Sequence, residues 1–411
     1  MADSDGPTRR KFLTYGGSVA AGGLLAGCTG SSESDATATD AAATDTTTTA
    51  ESTATSESTA ESTAEGDSYT VSMAPMGDVT FESVPESIFT RLTHHAGMAF
   101  ALGHGDAVNS MHAPDYYDAL WNQFTPRLPG VELDWTGLYS SWEPSKERLY
   151  ELDSDVHLAD PASVSALGSW SQDDLDEIEE NIGPWFGNSF SARHQTPPTE
   201  WADAYEYYGL WEIFAKVAQV LQEEAKYEAL TAVREELLAA ISADLPAEAD
   251  RPTAVLLGPS DLESIYAYNL STPGFLTAHT RPLKPVSAFG DDVESGSTVD
   301  FETLLEADPD VILTLGGMHP NTSMPDIRAG LRDDPVGAEI SAVKNDRVYA
   351  QGGRYQGPIL NLFQLEMTAK QLYPDRFGAW PQYSEGPYPE IPEDEQLFDR
   401  QRVADIINGN L

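Results

Sequence analysis

Lys146-Glu147-Arg148-Leu149-Tyr150-Glu151-Leu152-Asp153-Ser154-Asp155-Val156 and, further along, Phe301-Glu302-Thr303-Leu304-Leu305-Glu306-Ala307-Asp308-Pro309-Asp310-Val311 decide the fold. Each is a short helix-forming segment that runs through Asp-x-Asp-Val into an apolar strand, Val156-His157-Leu158-Ala159 in one case and Val311 to Leu315 in the other. One unit repeated at equivalent points implies two similar lobes. A gap between two such lobes is a natural ligand site, because the strand carboxyl ends point into it.

Working outward from the first copy, Val79 to Pro85 reads as an opening strand and turn. Ser87 to Leu92 reads as a core strand closed by Thr93-His94-His95, followed by a helix over Ala96 to Leu102 and a strand over Asp106 to Met111. Strands alternating with helices predict an α/β lobe. Thr199 to Leu245 is strongly helical by its apolar spacing of three and four, and it is too long for one ordinary helix, so a break is expected near Glu223 to Lys226. Around the second copy, strands are expected at Ala254 to Leu257 and Val348-Tyr349. Helices are expected at Phe301 to Glu306, Ala338 to Val343 and Leu360 to Leu372. From Pro374 the Pro- and acid-rich chain is expected to be extended, with a short helix at Asp399 to Ile407.

The amino-terminal residues read as an address. Thr8-Arg9-Arg10-Lys11-Phe12-Leu13 precedes a short, glycine-rich apolar run, the pattern of a twin-arginine export signal. Leu25-Ala26-Gly27-Cys28 follows as a lipobox, with small residues ahead of the chain's one cysteine. Lipidation at Cys28 is therefore expected, with residues 1–28 as signal. Residues 29–67 hold nine acids, no base and almost no large apolar side chain, the composition of a disordered tether. The folded part is thereby expected outside the cell, anchored to the membrane by lipid.

The 411 residues carry 67 acids against 23 bases, a formal charge of −44. Such a surface repels phosphate backbones and excludes nucleic acid as a partner. The acids are spread along the whole chain, as on haloarchaeal-type surfaces in strong salt, which screens their repulsion.

These motifs, in their order along residues 79 to 378, resemble the periplasmic binding proteins of ferric-siderophore and cobalamin ABC importers. The resemblance rests on Pro85-Glu86-Ser87-Ile88 leading to Ala101-Leu102-Gly103, on the two helix-to-strand copies, on Ala342-Val343-Lys344-Asn345-Asp346-Arg347-Val348-Tyr349, and on Leu372-Tyr373-Pro374-Asp375-Arg376-Phe377. It implies two Rossmann-like α/β lobes, 68–222 and 247–378, joined by a single long α-helix within 223–246, with the ligand cleft between the lobes and 379–411 as an acidic tail. It also implies that Glu147 and Glu302 dock onto the permease. The helix dipole alone favours carboxylates at those helix starts, so that reading has a competitor.

Candidate cleft residues are Tyr139, Trp142, Trp170, Arg193 and His194 from the first lobe and Tyr266, Tyr268, Arg281 and Arg354 from the second. Aromatics offer flat apolar area, and arginine offers forked donors for carboxylate, hydroxamate or catecholate oxygens. His94-His95 in a strand would point apart, and no histidine pair has the spacing of a helical metal motif, so no metal site is assigned. No cofactor is expected, and a monomer is. The chain lacks Gly-x-Ser-x-Gly, phosphate-loop and His-Glu-x-x-His motifs and is not expected to be an enzyme. A ferric siderophore is the leading ligand, a corrinoid the runner-up, and haem a further option. The alternatives from other classes are a direct transition-metal-binding protein and a secreted hydrolase.

Overall fold

Apolar alternation opens the fold. In a computed structural model describing residues 68–262, 264–290 and 293–411, Tyr69–Met73 (β1) pairs antiparallel with Gly77–Phe81 (β2), and both turn every second residue inward. The expected export signal, Cys28 and the tether lie outside the described residues.

The first lobe is a parallel four-stranded sheet. Its strands are Ile88–Thr90 (β3), Val108–Met111 (β4), Tyr139–Ser140 (β5) and Val156–Leu158 (β6), in the order β5-β4-β3-β6. β3 and β6 are buried at every position, as parallel strands covered on both faces require. The helices of this lobe are Thr93–Ala101 (α1), Pro114–Trp121 (α2), Lys146–Leu152 (α3), Pro161–Ser165 (α4), Gln172–Asn181 (α5), Thr199–Ala202 (α6) and Leu210–Val220 (α7). His94 and His95 correct the sequence expectation. They lie in α1, not in a strand, and their rings meet at 4.1 Å.

Gln222, in the left-handed region at φ 52°, ends the first helical run. Glu224–Asp244 (α8) then continues for 21 residues, about 30 Å at a rise of about 1.5 Å per residue. Leu230, Val233, Leu237 and Ile241 form its buried stripe.

The second lobe is a mixed sheet built from Thr253–Asp261 (β7), Ser264–Tyr268 (β8), Val286–Ser287 (β9), Ser297–Val299 (β10), Val311–Thr314 (β11) and Val348–Ala350 (β12). Its order is β10-β8-β7-β11-β12, with β9 paired to the start of β7. Phe301–Ala307 (α9), Met324–Asp333 (α10) and Ser341–Lys344 (α11) belong to it, and Pro358–Leu372 (α12) and Pro374–Phe377 (α13) follow.

The repeated motif folds the same way twice. Ser145 and Asp300 cap α3 and α9 through the backbone amides of Arg148 and Thr303. Each helix ends on a left-handed aspartate, Asp153 (φ 45°) or Asp308 (φ 40°), a conformation that Asp tolerates better than most residues. The second aspartate of each Asp-x-Asp then clasps the start of the neighbouring strand. Asp155 accepts from the amides of Glu86 and Ser87 beside β3, and Asp310 accepts from the amide and hydroxyl of Thr253 in β7. The clasped strands are β6's partner and β11's partner, so the two sheets share one internal plan.

All fifteen residues of α12 are buried. Gly97 of α1 and Gly357 at the helix cap let α1 and α12 approach so closely that a Cβ on Gly97 would sit 3.1 Å from the Gly357 Cα. The polar side chains of α12 are spent inside the protein. Asn361 accepts from Trp211 Nε1 and donates to Gln356, Gln364 also donates to Gln356, and Gln371 pairs with Gln351.

The sequence predicts an extended chain from Pro374 with a short helix at Asp399 to Ile407. Pro374–Phe377 is helical instead, residues 379–392 run without helix or strand, and the short helix is present, but the stretch is packed against the protein. Trp380, Tyr383, Tyr388, Ile391 and Phe398 are buried, and Arg400–Ile407 (α14) packs against α8. Aromatic side chains spaced among the acids supply apolar area that the charge count conceals.

Candidate functional site

The carboxyl ends of the strands converge on the gap between the lobes. Arg91 follows β3, and His112 follows β4 just ahead of Tyr116 and Tyr117 in α2. Gly316 and His319 follow β11, and Arg354 and Tyr355 follow β12. Between them lies an open cleft of about 230 Å³, walled by Tyr116, Tyr117 and Leu120 on one side and by Tyr268, Leu315 and Arg354 on the other. Behind Tyr268 a pocket of about 10 Å³, flanked by Asn269, Thr272 and Thr277, has room for about one water molecule.

Arg354 is the charged centre. Its guanidinium donates to Tyr268 Oη at 3.0 Å and to Tyr355 Oη at 2.7 Å, and it lies over both rings at 5.5 and 4.6 Å. Among the described residues no carboxylate pairs with it. Its loop is fixed from below, because Gln356 donates to the carbonyls of Phe275 and Leu276 and to His279 Nδ1, and accepts from Asn361 and Gln364.

Arg91 is a second cation, 4% exposed. It donates to the Trp142 carbonyl at 3.0 Å and to the Ser163 hydroxyl, and it sits 4.9 Å over the Trp142 ring. Burial lowers its pKa, opposed by Tyr355, Asp160 and Glu143. Asp160 is itself fully buried, which raises its pKa against hydrogen bonds from Tyr205, Ser189 and Ala162. Arg91 thus has nearby acids to offset its charge, and Arg354 has phenols.

The histidines here are neutral at neutral pH. Burial, then Arg91 and Arg354, push His112 down to about 4. Burial, then Arg354, push His194 down to about 4. Tyr117 is raised by burial and stays a phenol. A neutral, aromatic wall around a half-buried guanidinium that has no carboxylate partner among the described residues leaves forked donors free to meet an anionic group.

The two rims of the cleft touch. Tyr116 of the first lobe stacks on His319 of the second at 3.9 Å with the rings 8° apart. On the other side the amide of Phe275 donates to the carbonyl of Ser191, and His94 stacks on Phe275 at 4.3 Å.

The structure gathers some sequence candidates and scatters others. Tyr268 and Arg354 wall the cleft, and Trp142 and His194 stand beside it through Arg91 and Arg354. Tyr266 shares the outward face of β8 with Tyr268. Arg193 is exposed at the rim, 3.5 Å over the Tyr207 ring. Tyr139 lies under Arg148 at the sheet edge. Trp170 is a core residue, 7% exposed, with its Nε1 donating to Pro144. Arg281 clasps its own loop through the carbonyls of Thr272 and Gly274. Glu147 and Glu302 are exposed in the first turns of α3 and α9. Sequence reading missed Arg91, Tyr116, Tyr117, His319 and Tyr355 as cleft residues. A base directly after a core strand, in a chain so poor in bases, was the signal for Arg91.

Among the described residues no three His, Cys, Asp or Glu side chains gather closely enough to hold a metal ion, and no helix is long and apolar enough to cross a membrane.

A family model described as "periplasmic binding protein" matches residues 96–355. Solved structures share the fold. The catecholate-siderophore binding protein VctP of Vibrio cholerae is 16% identical with a TM-score of 0.51, covering 74% of this chain and 99% of its own. The petrobactin-binding protein YclQ of Bacillus subtilis is 14% identical with a TM-score of 0.51, covering 74% and 97%. The haem-binding protein HutB of Vibrio cholerae is 14% identical with a TM-score of 0.51, covering 70% and 100%. No curated protein sequence matches the chain.

Proposed function

The chain belongs to the periplasmic binding protein family, and from that premise we propose that it captures a ferric siderophore in the cleft between its lobes and hands it to the permease of an ABC importer. It is a solute-binding protein and not an enzyme. The observation that carries the ligand reading is Arg354, a guanidinium held in the cleft by two phenol hydroxyls with no carboxylate partner among the described residues. A ferric chelate of catecholate or carboxylate groups brings the missing negative charge. A corrinoid, fringed by neutral amides, meets this charge less well. The lack of a three-ligand cluster among the described residues favours a chelated metal over a bare ion. Fold relatives named for siderophores support the reading, and one named for haem keeps haem in the comparison.

Size adds a condition. Pockets that enclose a drug-sized ligand run to roughly 300–1,000 Å³, and this cleft holds about 230 Å³. A whole chelate enters once the Tyr116–His319 contact parts.

Delivery is assigned to Glu147 and Glu302, which stand at matching points on the two lobes. Twin-arginine export and lipidation at Cys28 would hold the protein outside the cell beside that permease.

The test is quenching of tryptophan fluorescence in molar salt, with a ferric tris-catecholate, haemin and cyanocobalamin as probes. The catecholate chelate should bind best, and Arg354→Ala should weaken it at least tenfold. Tight cyanocobalamin binding that ignores Arg354→Ala would overturn the siderophore reading. Zinc or manganese held by the purified protein without an organic chelator would favour the direct-metal alternative.

A further inference from the structure

The family match ends at residue 355, yet the chain beyond α13 holds on to both walls of the cleft. Tyr383 belongs to the second lobe. Its hydroxyl donates to the carbonyls of Met318 at 3.3 Å and Gly386 at 2.6 Å, and its own carbonyl accepts from Arg328 at 2.8 Å. Five residues on, Tyr388 belongs to the first lobe. Its amide donates to the Gln123 carbonyl at 2.6 Å, and its carbonyl accepts from Arg127 Nε at 2.6 Å.

These anchor points flank the cleft mouth. Met318 precedes His319, and Gln123 follows the helix that carries Tyr116 and Tyr117. After the crossing the chain is fixed again. Tyr388 Oη, the Leu397 amide and Arg400 all donate to Glu366 of α12, at 2.8, 2.6 and 2.7 Å.

We propose that residues 379–411 are an inter-lobe strap that limits how far the cleft opens. The crossing from Tyr383 to Tyr388 is five residues, and an extended chain spans at most about 3.5 Å per residue, so about 17 Å is its longest reach. Gly386, at φ 87°, lies in a bend over residues 385–388, so the crossing is not fully extended. The lobes therefore part until that bend is drawn straight and no further while both anchors hold. This restraint acts in parallel with the 21-residue helix α8.

The experiment labels two exposed sites, Tyr150→Cys on the first lobe and Val286→Cys on the second, in a chain carrying Cys28→Ser. Their separation is read by double electron–electron resonance in molar salt. The chain with an intact strap should give one narrow distance distribution. Adding Arg127→Ala, Arg328→Ala and Tyr383→Phe together, which removes every side-chain bond named above that holds the crossing to either lobe, should broaden it about twofold and add a population at longer distance. Glu236→Ala, which removes the exposed pair between Arg402 and α8, should leave it narrow. An unbroadened distribution in the anchor variant, with cooperative unfolding retained, overturns the proposal, as does equal broadening by Glu236→Ala. Hydrogen exchange in the unaltered chain gives an independent reading. The Tyr388 amide should exchange as slowly as amides of α12, and exchange as fast as the exposed residues Asn408 to Leu411 would sink the strap. No ligand enters either measurement, so their failure would leave the siderophore reading standing.

Discussion

Glu366→Ala offers the sharpest test of how the interior is balanced. Glu366 is fully buried in α12 and accepts from Tyr388, Leu397 and Arg400. Arg400 is 7% exposed and lies over the rings of Phe363, Tyr388 and Phe398 at 5.3 to 5.8 Å. Removing the carboxylate strands a buried guanidinium among aromatic rings and orphans two further donors. Breaking a buried pair from one side costs about 3–5 kcal/mol. Arg400→Met fills similar volume but leaves the buried carboxylate without its cation, with only the Tyr388 and Leu397 donors, and by the same rule costs about 3–5 kcal/mol. The double variant Glu366→Ala/Arg400→Met removes both charges. Its loss should fall well below the sum of the two single losses, with a coupling on the order of 2 kcal/mol or more. Urea unfolding followed by tryptophan fluorescence in molar salt measures all four proteins. Strict additivity, or losses under about 1 kcal/mol for Glu366→Ala, would refute the claim that this pair is buried and interdependent.

Other outcomes follow from single contacts. Gly97→Ala puts a Cβ 2.5 Å from the buried Trp121 ring. The overpacking cost of about 1–3 kcal/mol should exceed the gain of about 1 kcal/mol in helix propensity, which urea midpoints would show. His157 is held neutral by burial, its pKa down from 6.5 to about 4. The unfolded chain takes up that proton first, so the stability is complete above pH 6.5 and is lost as the pH falls towards 4, by on the order of 2–4 kcal/mol. His157→Gln should then gain on the unaltered protein across that window in urea titrations, and a flat difference would exclude the effect. Glu147→Ala with Glu302→Ala should leave chelate binding within twofold and lower uptake by cells at least fivefold. A collapse of binding would count against their role in docking.

The sequence announced the lobes through the duplicated helix, because its parts are local: a cap, an Asp tolerant of left-handed backbone, and a carboxylate reaching the next strand. The same locality misled at His94-His95. Their neighbours read as a strand end, but α1 begins there because it has α12 to pack against. Arg354 was legible as a rare base in a loop after a strand. Arg281 fitted the same description and instead closes its own loop, a difference set by backbone carbonyls that no side-chain pattern reveals. Trp170 and Tyr139 lie away from the cleft lining for a related reason, since an aromatic after a strand packs equally well into a side cluster. The strap was hidden by composition. Its acids face water, its aromatics face the interior, and a count over the segment averages the two.

The burial of α12 bears on how the gene can be cut and extended. Leu411 is 67% exposed, so an affinity tag or a reporter domain added after it should be carried without harm. Losing even the last dozen residues is another matter, because it strips Arg400 from Glu366 and bares an interior face. A stop codon ahead of Arg400 should therefore yield insoluble protein, because Glu366 then keeps a buried charge with no cation beside it.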